Sequence, residues 1–300
     1  MRLCQGRVVI VTGAGRGIGR AHALAFADRG AKVVVNDVGV AGDGTGGSAT
    51  PAQQVVDEIE ARGGTATANT DDVADWDGAA RLVDTALTRY GRLDVLVNNA
   101  GFVRDRMLVN LAEDEWDAVV RVHLKGHFAP LRHAAAHWRR RSKAGEQPDA
   151  RVVNTSSGAG LLGGVGQVNY SAAKAGIAAL TLVAAAELGR YGVTVNAIAP
   201  AARTRMTEHT FADQMARPDD GFDAMAPENV SPLVVWLGSA ESAGVTGRVF
   251  EVEGGKVSVA DGWHHGPAVD KGARWEPQEL GPVVRDLLAK TTPPDPVYGT

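Results

Sequence analysis

The stretch VVIVTGAGRGIGR, residues 8 to 20, decides the fold. Its first four residues are β-branched and apolar, which is typical of a strand buried in a parallel sheet. The glycines that follow let the backbone turn sharply and bring amides and the positive end of a helix dipole against a pyrophosphate. A plain glycine turn is the alternative. The stretch predicts a strand, a nucleotide-binding turn and a helix, with contacts from Gly13, Gly15, Arg16, Gly17, Ile18 and Gly19.

Strand and helix patterns alternate along the rest of the chain. Apolar runs occur at 32–37, 93–101, 151–157 and 193–200, with weaker ones at 65–69 and near 248. Helical periodicity fills the gaps, at 17–29, 51–62, 75–90, 113–141 and 168–190. Strict alternation implies right-handed crossovers. We therefore predict an α/β fold, a Rossmann-type doubly wound, seven-stranded, mostly parallel sheet with helices on both faces.

The composition describes an ordinary soluble protein. Of 300 residues, 22% are charged and 44% hydrophobic, and the net charge of −4 gives no basic surplus for binding nucleic acid. A lone Cys4 excludes an internal disulfide and a cysteine metal cluster, so we predict no metal and a cytoplasmic setting. No run reaches the roughly 18 consecutive apolar residues of a membrane span, so we predict no membrane partner.

We predict one domain over residues 1–255, followed by a C-terminal extension at 256–300 that packs on the same domain or on a neighbouring subunit and whose last residues are mobile. A segment at about 201–227 has the character of a lid over an apolar ligand, although loop packing explains its apolar residues nearly as well. Those residues are Met206, Phe211, Met215, Phe222 and Met225.

The helical segment 168–190 is apolar or small nearly all round. Its own sheet can cover only one side of such a helix, so a neighbouring subunit is expected to cover the other. We therefore predict a homodimer or homotetramer.

An acidic residue closes the second strand. Asp37 lies about 20 positions after the glycines, where an adenine ribose presents its hydroxyls. A carboxylate accepts hydrogen bonds from the 2′-hydroxyl and repels a 2′-phosphate, which favours NAD over NADP. Arg16 favours NADP instead, because a guanidinium can pair with a 2′-phosphate. The alternative role of Arg16 is a general attraction to the diphosphate, which both cofactors carry.

Two further stretches follow strands and suit a nucleotide. Asp72 and Val73 suit an adenine contact, with a carboxylate for the exocyclic amine and an apolar side chain for the ring. The neighbouring Asp71 is the competing carboxylate, and its alternative role is to cap the next helix. The sequence NNAG supplies Asn99, Ala100 and Gly101, which tolerate the tight backbone angles of a turn at the carboxyl edge of the sheet.

The stretch VNYSAAKAG, residues 168 to 176, opens a helix and places Tyr170 and Lys174 on one face of it. Ser157 lies thirteen residues before Tyr170, at the end of a strand. A phenol titrates near pH 10, so it works as a base at neutral pH only beside a positive charge. The alternative is ordinary surface.

Taken together, T-G-x-x-x-G-x-G, N-N-A-G and S-x12-Y-x3-K resemble the short-chain dehydrogenase/reductase family over residues 6 to about 255. The resemblance implies that Tyr170 is the general acid/base, that Lys174 lowers its pKa and holds the nicotinamide ribose, and that Ser157 binds the substrate oxygen. It also implies cofactor contacts at Pro200 and Thr204, where the chain departs from the common form: Ala201 replaces glycine, and the threonine comes one residue early.

Another departure is His123, in RVHLKG, where many members of the family have asparagine. The asparagine helps to hold a water beside the lysine in a proton relay. An imidazole could serve that relay with a different reach and protonation, which makes His123 a catalytic candidate. The alternative is that His123 is a packed helix residue.

The stretches VHLKG, VVVNDVG, FVRDRML and ENVSPLVVWL resemble the (3R)-hydroxyacyl-CoA dehydrogenase domain of peroxisomal multifunctional enzyme type 2 and its bacterial relatives. The implied partner is a small-molecule substrate, an acyl-CoA, whose phosphates Arg104, Arg106 and Lys125 could meet unless they are surface charges. Alternatives are another secondary alcohol, such as a steroid or a small alcohol, and a non-catalytic dinucleotide-binding or sensor protein.

Overall fold

The computed structural model describes residues 2–40, 44–47, 49–204, 206–208 and 215–298. One sheet runs through the described chain in the order β3-β2-β1-β4-β5-β6-β7-β8. Its strands are β1 Val8–Thr12, β2 Lys32–Asn36, β3 Thr65–Asn69, β4 Val95–Asn98, β5 Ala150–Thr155, β6 Val193–Ala201, β7 Val249–Glu253 and β8 Lys256–Ala260. The helices are α1 Gly17–Asp28, α2 Thr50–Ala61, α3 Trp76–Tyr90, α4 Glu113–Val120, α5 Gly126–Lys143, α6 Gly158–Leu162, α7 Val168–Leu188, α8 Ser231–Leu237 and α9 Leu280–Ala289.

The Rossmann-type α/β fold is confirmed, but the predicted number of strands was wrong. Strands β1 to β7 pair in parallel, and β8 pairs antiparallel with β7. Glu253 faces Lys256 across the Gly254-Gly255 turn, which makes a hairpin. Two glycines between two strand-like runs predict a β-hairpin. This signal was missed because the boundary between the domain and the C-terminal extension was placed at residue 255, inside the hairpin.

Helices cover both faces of the sheet over separate cores. The core on one face includes Phe26, Ile59 and Val234 of α1, α2 and α8. The core on the other face contains residues of α3, α5 and α7. The strand order reverses between β1 and β4, and ligands of such sheets bind beyond the strand ends at this point.

The helix expected over residues 113–141 is interrupted. A five-residue π-helix, Arg121–Lys125, separates α4 from α5 and contains the buried His123. Single π turns inside α-helices occur often at functional sites, and periodicity in the sequence does not reveal them.

Helix α7 is long and apolar enough to cross a membrane, and its most apolar window of 18 residues has a mean hydropathy of 1.4. Among the described residues it is the one helix of this kind, and only a third of that window is buried. Its buried side holds polar residues, including Asn169, Lys174 and Thr181. Leu182 and Val183 lie on the opposite side and are more than half exposed.

The described part of the extension beyond β8 lies on the surface, and α9 buries none of its residues. At its end, Tyr298 pairs with Gly164 in an isolated parallel bridge. Gly299 and Thr300 lie outside the described residues, so mobility at the end stays a prediction.

Three histidines, His22, His123 and His127, are buried, and burial lowers their pKa, to about 3 for His22 and for His123. His22 lies between α1 and α8, with Nδ1 2.9 Å from the Ser231 hydroxyl. Below the ordinary histidine pKa, these histidines stay neutral in the folded chain, whereas the same histidines in the unfolded chain take up protons.

Stability is therefore expected to fall as the pH drops below about 6.5, the ordinary histidine pKa, because the unfolded state then binds more protons. Each such histidine contributes about 1.4 kcal/mol per pH unit until the pH reaches its folded pKa. In urea unfolding at pH 7, 5.5 and 4.5, His22→Asn should lower that slope by about this amount. The exposed His264 provides the control: His264→Asn should keep the wild-type slope. An unchanged slope in His22→Asn would contradict the assignment.

Candidate active site

The glycine turn closes tightly between β1 and α1. Gly13 has a φ of +63°, and a Cβ there would lie 2.7 Å from the Cα of Ala100. A Cβ on Gly19 would lie 2.2 Å from the carbonyl oxygen of Gly13. Both positions therefore require glycine, and the turn lines a cavity together with Arg16, Gly17 and Ile18.

The turn is tied to the NNAG loop by a residue that the sequence interpretation missed. The Thr12 hydroxyl accepts hydrogen bonds from the backbone N–H groups of Asn99 (2.9 Å) and Ala100 (3.1 Å). In return, Nδ2 of Asn99 donates to the carbonyl oxygen of Thr12 at 2.9 Å. A threonine directly before the first glycine, at a strand end, was the signal available in the sequence. Asn99, Ala100 and Gly101 all line the cavity.

Asp37 lines the cavity next to the glycine turn. One carboxylate oxygen accepts from the backbone N–H of Gly15 and the other from that of Gly39, both at 2.7 Å. An ionised carboxylate has about four acceptor positions, so capacity remains for ribose hydroxyls. The Arg16 guanidinium donates to the carbonyl oxygen of Val40 at 3.3 Å, on the loop after β2.

The expected adenine contacts lie on the same wall, and both oxygens of Asp72 have partners. One accepts from the N–H of Ala74 at 2.8 Å, and the other pairs with Arg121 at 2.6 Å. Val73 is buried beside Gly126. The alternative that Asp71 caps the next helix was wrong, because Asp75 caps α3 by accepting from Gly78.

The residues of the S-x12-Y-x3-K pattern meet beyond the end of β5. Ser157 caps α6, and its hydroxyl accepts from the N–H of Ala159 at 3.2 Å. The Lys174 ammonium donates to the carbonyl oxygen of Thr155 at 2.6 Å and lies 5.5 Å from the Tyr170 ring centroid. Thr155, Ser157, Ala159, Tyr170 and Lys174 all line one cavity.

Burial sets the proton affinities of this group. It raises the pKa of Tyr170, against a lowering effect of the hydrogen bond with Ser157. It lowers the pKa of Lys174 to about 7. Burial thus disfavours the charged form of each group taken alone, whereas a phenolate beside an ammonium is stabilised by the pair itself.

His123 lies against Tyr170, with the rings edge to face and their centroids 5.2 Å apart. Its Nε2 lies 3.1 Å from the backbone nitrogen and 2.6 Å from the backbone oxygen of Phe102. Its Nδ1 is buried without a hydrogen-bond partner in the described structure. A Cβ on Gly101 would lie 2.2 Å from the His123 ring, so this imidazole needs a glycine beside it.

The cavity has a volume of about 1180 Å³. Pro200, Thr204 and the lid residues Met206, Met215 and Met225 line it, whereas Phe222 is exposed and Phe211 lies outside the described residues. Arg104, Arg106 and Lys125 do not line it, and the first two pair with Asp114 and Glu115. The cations on its wall are Arg16, Arg121, Lys174, Arg203, Arg217 and Lys256.

No group of three or more His, Cys, Asp or Glu side chains within the described ranges could hold a metal ion.

The family model for short chain dehydrogenases matches residues 7–215. This chain belongs to that family. It is therefore an oxidoreductase that acts on CH–OH groups with a nicotinamide dinucleotide. The tight glycine turn, the carboxylate after β2 and the large cavity that extends from them to Tyr170 fit that cofactor.

The chain is similar to several known proteins along nearly its whole length. The hydroxyacyl-CoA dehydrogenase ChsB1 of Mycobacterium tuberculosis is 47% identical over 96% of this chain and 90% of its own length. Peroxisomal multifunctional enzyme type 2 of Mus musculus is 43% identical over 96% of this chain but only 35% of its own length. A crystal structure of a short chain dehydrogenase from Mycobacterium avium is 68% identical, with a TM-score of 0.90, and covers 99% of this chain and 100% of its own.

Proposed function

We propose that this protein interconverts (3R)-3-hydroxyacyl-CoA and 3-ketoacyl-CoA with NAD. The observation that carries the proposal is the juxtaposition of Ser157, Tyr170 and Lys174 at one end of a cavity whose other end presents the glycine turn and Asp37. The likeness to a hydroxyacyl-CoA dehydrogenase over 96% of the chain supports the substrate class.

In this proposal the reaction proceeds through a proton relay held by the protein. Ser157 donates a hydrogen bond to the substrate oxygen, and Tyr170 takes the hydroxyl proton during oxidation and returns it during reduction. The Lys174 ammonium, held by the carbonyl oxygen of Thr155, favours the phenolate and binds the nicotinamide ribose. When bound, the cofactor accepts or supplies the hydride at the carbinol carbon.

The preference for NAD rests on Asp37. Its carboxylate is held at the end of β2 by the N–H groups of Gly15 and Gly39, where a 2′-phosphate would meet its negative charge. Arg16 is oriented towards the loop after β2 by its bond to Val40. Kinetics with both cofactors test the proposal: we expect a higher kcat/KM with NAD, and a clear preference for NADP would refute it.

The substrate class is tested by following NADH formation with a panel of (3R)- and (3S)-3-hydroxyacyl-CoAs, sterols and short secondary alcohols. We expect the (3R)-thioesters to give the highest kcat/KM. Turnover confined to a sterol or a short alcohol would refute the acyl-CoA assignment but retain the dehydrogenase. Cofactor binding without turnover of any compound would indicate a non-catalytic dinucleotide-binding protein.

We further propose that the protein is a homodimer or homotetramer built on the outer face of α7. Leu182 and Val183 are 54% and 57% exposed there, and Phe128 on the neighbouring α5 is 44% exposed. Association would remove this apolar surface from water. A monomer mass in light scattering at micromolar concentration would refute the proposal.

His123 is proposed to position the Phe102 backbone next to Tyr170, because its Nε2 is committed to that backbone. His123→Ala should therefore lower kcat by about tenfold or more and destabilise the fold by about 2 kcal/mol, through the cavity and the unpaired backbone groups. His123→Asn should restore part of both. The measurements are steady-state kinetics and urea unfolding. Normal kinetics in His123→Ala would remove both a positioning and a relay role.

A further inference from the structure

The last described residue, Tyr298, returns from the exposed extension to the active site. Its carbonyl oxygen accepts from the N–H of Val165 at 3.0 Å, and its own N–H donates to the carbonyl oxygen of Gly163 at 3.1 Å. These two bonds fix the Tyr298 backbone to the loop between α6 and α7, a few residues before Tyr170.

That loop, residues 163–167, is held from its other side as well. The N–H of Arg106 donates to the carbonyl oxygen of Gly166 at 2.8 Å. The side chain of Gln167 donates to the Asp105 carboxylate at 2.9 Å. The hydrogen bonds to Asp105 and Arg106 thus fix the loop to which Tyr298 binds.

The Tyr298 ring lies over the residue that follows Ser157. A Cβ on Gly158 would lie 2.7 Å from the Tyr298 hydroxyl oxygen and 2.8 Å from its Cε2 atom. The phenol therefore occupies space that any side chain at position 158 would need. Tyr298 lines the cavity together with Ser157 and Tyr170.

The hydroxyl of Tyr298 stays protonated and available as a donor at neutral pH. Burial and the nearby carboxylates of Glu251, Glu253 and Asp295 raise its pKa. The two glutamates belong to the same cavity wall. Ser157, which precedes Gly158, and Tyr298, which contacts it, thus bring two hydroxyl groups to one part of the cavity.

We propose that Tyr298 determines substrate specificity by donating a hydrogen bond to a second substrate oxygen while Ser157 binds the reacting one. Two donors near Gly158 suit a chain with oxygens on carbons 1 and 3, such as a 3-ketoacyl thioester or a 3-oxo ester. This inference deepens the proposed function. It rests on that function only where the substrate is an acyl-CoA thioester, because a 3-oxo ester offers Tyr298 the same second oxygen. A simple ketone offers Tyr298 no acceptor.

The test compares the reduction of a 3-ketoacyl-CoA, a 3-oxo ester and a simple ketone of equal chain length. Tyr298→Phe should lower the kcat/KM ratio of dioxygenated compound to simple ketone by about 3- to 10-fold, the loss of one neutral hydrogen bond. NADH affinity should stay unchanged. Tyr191→Phe, on a tyrosine outside the cavity lining, is the matched control and should keep the wild-type ratio.

Gly158→Ala provides an independent variant, because its methyl group would displace the Tyr298 ring. It should lower the same ratio, and its effect should largely disappear in the Tyr298→Ala background. An unchanged ratio in both Tyr298→Phe and Tyr298→Ala overturns the inference about Tyr298. Wild-type turnover of the 3-oxo ester without turnover of the thioester contradicts the proposed function instead, and turnover of neither contradicts both.

Discussion

Tyr170→Phe is expected to lower kcat by about a thousandfold, within the range that a general acid/base contributes. The substitution removes the hydroxyl that is proposed to exchange the proton with the substrate, and it leaves the ring packed against His123. The cofactor should still bind with wild-type affinity, because the glycine turn and Asp37 are untouched. Stopped-flow hydride transfer and NADH fluorescence titration measure the two quantities separately.

The pH dependence of the same reaction provides a second readout. Oxidation requires the phenolate, so its rate should rise with pH as the coupled pair of Tyr170 and Lys174 releases a proton. In Tyr170→Phe the residual rate should lose this rise. Substantial turnover in the variant, with the wild-type pH profile, would show that another group transfers the proton.

Gly19→Ala is the second substitution with a large expected effect. The new methyl group would lie 2.2 Å from the carbonyl oxygen of Gly13 and 2.5 Å from Nδ2 of Asn99. Neither atom can move freely, because Asn99 also donates to the Thr12 and Gly13 carbonyl oxygens. We expect a loss of about 1–3 kcal/mol in the free energy of unfolding. The cofactor dissociation constant should rise at least about tenfold, since about 1.4 kcal/mol corresponds to that factor.

Gly189→Ala is the control for that experiment. Gly189 follows α7, has a negative φ and offers open space to a Cβ, so a methyl group meets no neighbour there. Thermal unfolding with and without cofactor should show wild-type behaviour for Gly189→Ala. If Gly19→Ala binds the cofactor as tightly as the control does, the turn tolerates side chains, and its assignment to the pyrophosphate is wrong.

Local patterns in the sequence carried most of the fold. The central strands β1, β2 and β4 are short, rich in valine and almost wholly buried, so their apolar runs alone locate them. The glycine turn was equally readable, because positive φ and close backbone approach leave glycine few substitutes. The eighth strand was missed even though its hairpin turn was visible, because the domain boundary was drawn through it.

The site was predictable to the extent that its residues share one element. Tyr170 and Lys174 lie one turn apart on α7, and helix geometry alone places them together. Ser157 was linked to them by family resemblance and not by spacing. The function of Thr12 was overlooked because a hydroxyl that organises two backbone amides has no signature beyond its position.

The sequence by itself determined the parallel sheet, the nucleotide turn and the Tyr170–Lys174 pair, because these depend on residues a few positions apart. Only the tertiary structure decided which way His123 faces, that Arg104 and Arg106 lie away from the cavity, and that Tyr298 returns to Gly158. Those outcomes depend on how distant segments meet once the chain has closed. Local periodicity carries no information about such contacts, since their geometry is set by the packing of the whole sheet.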